Sequence, residues 1–135
     1  MKRATLYTDG GARGNPGPAA IGFVLSEVGS LPISYKEYIG TGTNNQAEYR
    51  ALLAGVSRAK EEGIQELQCY LDSELVVKQV RGEYRVKNED LQELLAKIKK
   101  VLPSFSSVTF EHVPRSKNAK ADKLVNEALD AEMKK

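Results

Sequence analysis

The chain is poor in the side chains that hold soft or borderline metals. Its 135 residues include one cysteine and one histidine. A lone cysteine has no partner for an internal disulfide, and one thiol with one imidazole is too few for a tetrahedral zinc site. Cys69 lies in the apolar run LQCYL, which marks it as a small buried hydrophobe in a reducing compartment. No apolar stretch approaches the roughly 18 residues of a membrane span. The start, MKRATLYTD, runs straight into a strand pattern without the apolar core of a secretory signal. A cytoplasmic protein with no membrane partner is therefore expected. Charge of one sign is scarce as well. The 20 Lys and Arg against 18 Asp and Glu leave a formal net charge of +2, too little to identify a nucleic-acid partner.

What is present suits an ordinary globule. A hydrophobic content of 41% beside 28% charged residues is usual for a soluble domain, and the length fits one domain, residues 1–135. RATLYTD (3–9) alternates as a strand, and the dense Gly and Pro of 10–18 mark a turn. AAIGFVLSE (19–27) and ISYKEYIGTG (33–42) complete a three-strand antiparallel meander. The period then becomes helical, with Ala47, Ala51, Leu52, Gly55, Val56 and Ala59 on one stripe between Gln46 and Glu62. ELQCYL (66–71) reads as a buried strand, SELVVKQV (73–80) as a short helix and DLQELLAKIKKVL (90–102) as an amphipathic helix. SVTFEHV (107–113) is a strand, and a last helix starts near Asn118. This order predicts a mixed α/β fold, a sheet covered by helices.

Four acids stand where strand or loop gives way to helix: Asp9, Glu48, Asp72 and Asp122. Each has an ordinary explanation. Asp9-Gly10 is a hairpin signal, Asn45 with Glu48 resembles a capping box, Asp72 or Ser73 can cap the short helix, and Asp122 suits a helix dipole. Yet the loop after Asp9 runs on through Gly11, Arg13, Gly14, Asn15, Pro16 and Gly17, far beyond a tight turn. Glu48 shares its face with Leu52, Gly55 and Ala59, so it should point at the sheet, where a lone carboxylate is costly. Four such acids at the ends of core elements favour one shared cluster. Carboxylates suit hard cations such as Mg²⁺, and two such ions can cleave a phosphodiester. The tracts Arg81–Arg85–Lys87, Lys97–Lys99–Lys100 and Arg115–Lys117–Lys120 fit either a phosphate-binding rim or solvated faces.

The stretches YTDGGARGNPGPAAIGFV, TGTNNQAEYRALLAGV, LDSELVVKQV and NAKADKLVNEA resemble, in order and spacing, the four acidic motifs of type 1 ribonuclease H. The resemblance covers essentially the whole chain. It implies the ribonuclease H-like fold, a five-stranded mixed sheet in order 3-2-1-4-5 with helices on both faces. It also implies a monomeric endoribonuclease that cuts the RNA strand of RNA–DNA hybrids and leaves 5′-phosphate and 3′-hydroxyl ends. Asp9, Glu48, Asp72 and Asp122 would then be the catalytic acids, holding two Mg²⁺ or Mn²⁺ ions once substrate is bound. Gly10 and Gly11 would meet RNA 2′-hydroxyls, while Asn15, Asn44, Asn45 and Gln46 would read the minor groove and Thr43 a DNA phosphate. Double-stranded RNA stays open as a second substrate.

Two departures from the family stand out. Many bacterial members carry a basic, Trp-rich protrusion, whereas RGEYRVKNED is short and the chain has no Trp, so weaker or more salt-sensitive binding is expected. Many also have a histidine in the loop before the last acid. Here that loop is PRSKNAKA, and His112 lies in the preceding strand, where a structural role is expected. Arg115 and Lys117 are candidates to face the scissile region instead.

Overall fold

A computed structural model describes residues 2–135. Three antiparallel strands open the chain, β1 (Arg3–Ala12), β2 (Gly17–Glu27) and β3 (Ile33–Gly42). There follow α1 (Asn44–Glu61), β4 (Glu66–Leu71), α2 (Glu74–Val80), α3 (Glu89–Val101), β5 (Ser107–His112) and α4 (Ala119–Met133). The five strands form one mixed sheet in the order β3-β2-β1-β4-β5. β1 pairs antiparallel with β2 and parallel with β4, and β5 adds parallel to β4. This is the predicted fold, order included.

Side-chain alternation along β2 divides the molecule into two layers of packing. Phe23 and Leu25 face the larger core, with Leu6, Tyr49, Leu52, Val56, Leu67, Leu71, Val76 and Ile98. Cys69 is buried there too, as its apolar surroundings predicted. Ala20 faces the other way, into a smaller cluster with Val125, Ala128 and Leu129 of α4. The residues of α1 expected on the apolar stripe are all buried. Gly22 marks where α4 crosses the sheet, since a Cβ there would come within 2.8 Å of the Ala121 carbonyl oxygen and of Leu124 Cβ. Among the described residues no helix is long and apolar enough to cross a membrane.

The largest departure from expectation is the extent of β1 and β2. The turn expected over 10–18 shrinks to 13–16, because β1 continues through Asp9, Gly10 and Gly11 to Ala12, and β2 begins at Gly17. Small residues there pair as a ladder, Gly10 with Ile21 and Ala12 with Ala19. The ladder is favoured over a turn because every backbone group in it finds a partner.

Candidate active site

Strand register brings the first two acids together. Thr8 on β1 is paired with Leu71, the last residue of β4, so Asp9 within β1 stands beside Asp72 just past the end of the parallel β4. Ligands of open α/β sheets bind at this carboxyl edge. Asp9 is not part of a hairpin turn, for it lies inside β1 opposite Gly22. Asp72 does not cap α2. Ser73 does, its hydroxyl accepting the Val76 N–H at 3.3 Å.

The same division of labour frees Glu48. The capping box expected from Asn45 and Glu48 is built two residues earlier, by Thr43 and Gln46. Thr43 Oγ1 accepts the Gln46 N–H at 3.1 Å, and Gln46 Oε1 accepts the Thr43 N–H at 2.9 Å. Glu48 is left on the buried face with no capping duty. Gly10 then decides how near it comes to β1. A Cβ on Gly10 would lie 2.2 Å from the carbonyl carbon and oxygen of Ala47, so only glycine lets the first turn of α1 rest on the strand.

Asp122 arrives on the first turn of α4. Asn118, 1% exposed, donates its amide to the Thr8 carbonyl at 2.8 Å, which fastens the start of α4 beside the residue preceding Asp9. Arg115 Nη2 stands 3.4 Å from Asp122 Oδ1. Carboxylate oxygens of Asp9, Glu48 and Asp72 lie within 4.8 Å of one another. Asp122 flanks Asp9 outside that trio.

So many carboxylates so near one another perturb the buried ones. Burial, and then the charge of Asp72, pushes Asp9 up from its ordinary 3.8 to about 7. Burial, then the charges of Asp9 and Asp72, holds Glu48 well above the usual carboxylate range. Glu48 Oε2 is buried with no hydrogen-bond donor. A desolvated, unpaired carboxylate oxygen beside two further carboxylates is a costly arrangement for the protein alone. It is what a hard divalent cation needs, so the donor set fits Mg²⁺ or Mn²⁺.

The acids open into a cleft of about 490 Å³ that Gly10, Gly11, Asn44 and Asn45 also line. Asn15 joins it indirectly, its Oδ1 accepting the Asn44 N–H at 3.0 Å. Thr43 and Gln46 stand apart from the cleft, occupied in the cap, and the Gln46 amide donates to Asp90 at 3.2 Å. The Asn45 side chain is exposed and makes no hydrogen bond among the described residues. His112 ends β5 with its Nδ1 3.8 Å from Glu74, outside the cleft. Arg115, one of the two candidates to face the scissile region, lines the cleft and Lys117 does not; Arg13, Ser73 and Asn126 line it without having been assigned a role by the motifs. Ser73 carried one legible signal, its position as a helix cap. Asn126 carried none, because its place depends on how α4 crosses the sheet.

Comparison with known proteins places this geometry. Residues 7–128 match the family model described as Reverse transcriptase-like. Ribonuclease HI of Halobacterium salinarum is 43% identical over 129 residues, covering 95% of this chain and 65% of the relative. The crystal structure of RNase H1 from that species superposes with a TM-score of 0.91 at 41% identity, covering 96% of this chain and 98% of that one. The chain belongs to the type 1 ribonuclease H family. A crystal structure of LC11-RNase H1 in complex with RNA/DNA hybrid gives a TM-score of 0.90 at 43% identity, over 96% of this chain and 99% of that one. A bifunctional protein of Mycobacterium tuberculosis is 40% identical over 131 residues, 96% of this chain but only 36% of the relative. The ribonuclease H chain described here thus spans about a third of its mycobacterial relative and about two-thirds of the halobacterial one.

Proposed function

We propose that this chain is a metal-dependent endoribonuclease that hydrolyses the RNA strand of RNA–DNA hybrids. The observation that carries the reading is the convergence of Asp9, Glu48 and Asp72 within 4.8 Å, with a buried and unpaired oxygen on Glu48. A binding module would gain nothing from negative charge set beside phosphate. The hybrid-bound relative supports the substrate class.

Asp9, Glu48 and Asp72 would hold divalent metal in this reading, with Asp122 beside Asp9 completing the acidic set. Two such ions would supply an activated water and charge stabilisation at the departing oxygen, chemistry that would leave a 5′-phosphate and a 3′-hydroxyl. The chain's own residues do the rest. Asp9 and Glu48, raised when metal-free, give up their protons on loading, so ion binding weakens as pH falls. Gly10 and Gly11 present backbone without side chains, which suits close approach of the RNA 2′-hydroxyl. Asn44 and Asn45 stand exposed at the rim of the cleft, where amides can meet minor-groove acceptors. Asn15, anchored on Asn44, extends that edge. Thr43 and Gln46 act by holding α1 in place, and the Thr43 hydroxyl offers a DNA phosphate its remaining capacity. The domain works as a monomer.

The test is cleavage of matched RNA–DNA, RNA–RNA, DNA–DNA and single-stranded RNA with Mg²⁺, Mn²⁺ or chelator. Cutting confined to the RNA of the hybrid, lost with chelator, is expected. Asp9→Asn, Glu48→Gln and Asp72→Asn should each lower the rate by about a hundredfold or more while hybrid binding persists. Near-parental rates in all three would sink the carboxylate assignment. Cutting of RNA–RNA as well would widen the substrate class to double-stranded RNA without moving the site.

A further inference from the structure

The glycine loop between β1 and β2 carries an arginine whose charge is used inside the protein. Arg13 Nη2 lies 2.7 Å from Asp130 Oδ1 and 3.3 Å from Asn126 Oδ1. Its Nη1 lies 3.0 Å from Met133 Sδ. Positions 126, 130 and 133 share one face of α4, so the planar fork of the guanidinium grips the helix at three points. A basic residue in a nucleic-acid site ordinarily meets phosphate. Here its donors are directed at α4, and its side chain is only 33% exposed.

On either side of Arg13 the chain is tied to α1. Asn44 Oδ1 accepts the Ala12 N–H at 2.8 Å, and Asn15 Oδ1 accepts the Asn44 N–H at 3.0 Å. The loop therefore joins the helix that brings Glu48 to the helix that brings Asp122, across the end of the sheet. Asn126 extends the link, donating its amide to the Asp122 carbonyl at 3.0 Å.

We propose that Arg13 is a positioning residue for hybrid binding: by clamping the glycine loop to α4 it holds Asn15 against Asn44 in the geometry the hybrid meets. The proposal rests on the hybrid-cleaving reading above. Its physical basis is preorganisation. A loop with Gly14 and Gly17 has many conformations to lose, and a clamp made before binding removes that cost from the binding step. The clamp adds little to global stability, since partly exposed ion pairs contribute little.

Arg13→Ala, Asp130→Ala, their combination and Arg13→Lys separate clamp from phosphate contact. Steady-state cleavage of a hybrid is measured across a salt series, with thermal melts of each protein. Both single alanine variants should raise KM by about tenfold and change kcat by less than about threefold. The double variant should be no worse than Arg13→Ala, because both remove one clamp. Arg13→Lys should restore part of the loss. The log–log salt dependence should keep the parental slope, and melting temperatures should stay within about 4 °C of the parent. A slope lower by about one in Arg13→Ala alone, with Asp130→Ala like the parent, would show a phosphate ligand and overturn the clamp. A parental KM in both alanine variants would overturn it too. If Arg13→Ala does not fold, Arg13→Lys and Asp130→Ala carry the same comparison. A parent protein that neither binds nor cuts hybrid would remove the functional reading itself, an outcome distinct from either.

Discussion

Asp9 shows how a site for a cation taxes the protein that builds it. Its folded value of about 7 lies above its ordinary 3.8, so folding favours the protonated form. The sign follows from linkage. This contribution to stability is complete below about pH 4 and is lost as pH rises through about 7. Glu48 is shifted in the same direction, by burial first and then by Asp9 and Asp72. Metal-free protein should therefore melt at a lower temperature near roughly pH 8 than near roughly pH 5. Mg²⁺ or Mn²⁺ should restore the difference, because a bound cation favours the ionised acids. Asp9→Asn should raise the metal-free melting temperature near the higher pH by about 3–6 °C, the shift of a kcal/mol or two in a chain of this size, and should flatten the pH dependence. A metal-free melt that rises with pH over this window would contradict the burial of charge seen at the cleft.

Contact between elements, rather than the acids alone, sets the spacing of the cluster. Gly10 and Gly55 both face close packing between α1 and β1, yet they differ in what a new methyl would strike. At Gly55 the obstacles are the Leu6 methyl carbons at 2.8 and 2.9 Å and Thr8 Cγ2 at 3.2 Å, side-chain ends that can shift. At Gly10 they are backbone atoms of Ala47 at 2.2 Å, which move only if α1 moves. Gly10→Ala should cost about 2–3 kcal/mol of stability and nearly all metal affinity, because Glu48 leaves with the helix. Gly55→Ala should cost about 1–2 kcal/mol and keep measurable activity. Denaturant unfolding and Mn²⁺ titration of the two variants check the contrast. These distances also explain what the sequence could and could not reveal. Period and punctuation were enough to find every strand and α-helix, though not how far β1 and β2 extend, since apolar stripes such as Ala51, Leu52 and Val56 are a local signal. Strand order and the four acids were legible through the family motifs. The identity of the caps was not, for Asn45 and Glu48 match the capping pattern as well as Thr43 and Gln46 do. Only the start of α1 at Asn44, fixed by its seating on Gly10, chooses between them. The grip of Arg13 on Asp130 was equally hidden, because it joins residues 117 positions apart in sequence through the tertiary crossing of α4.

At the scale of the molecule, a formal charge of +2 conceals a segregated field. Four acids gather at one cleft, while cations collect on α3 and on the connection that precedes it. Several of those cations are already committed, Lys97 to Glu93 and Arg81 to Glu83. Arg85, Lys87, Lys99 and Lys100 are exposed and pair with no carboxylate among the described residues. Arg85, Lys99 and the half-exposed Tyr84 line one groove. Lys78 lies 4.9 Å above the Tyr84 ring, so the aromatic is held against α2 rather than left to swing. Four free cations, two on the short connection and two on α3, offer few phosphate contacts. Each contact contributes about 0.9 to the log–log dependence of affinity on salt for a duplex, so a slope between about −3 and −4 is expected for hybrid binding. Binding with so few contacts is weak at the outset and falls away at moderate salt. Arg85→Gln and Lys99→Gln should each lower the slope by about one and raise KM, leaving kcat near the parental value. Both residues stand outside the acid cleft, so cleavage at low salt and saturating hybrid is the control. A slope unchanged in both variants would move the phosphate rim elsewhere on the surface, with the Arg115–Lys117–Lys120 tract beside Asp122 next in line for the same measurement.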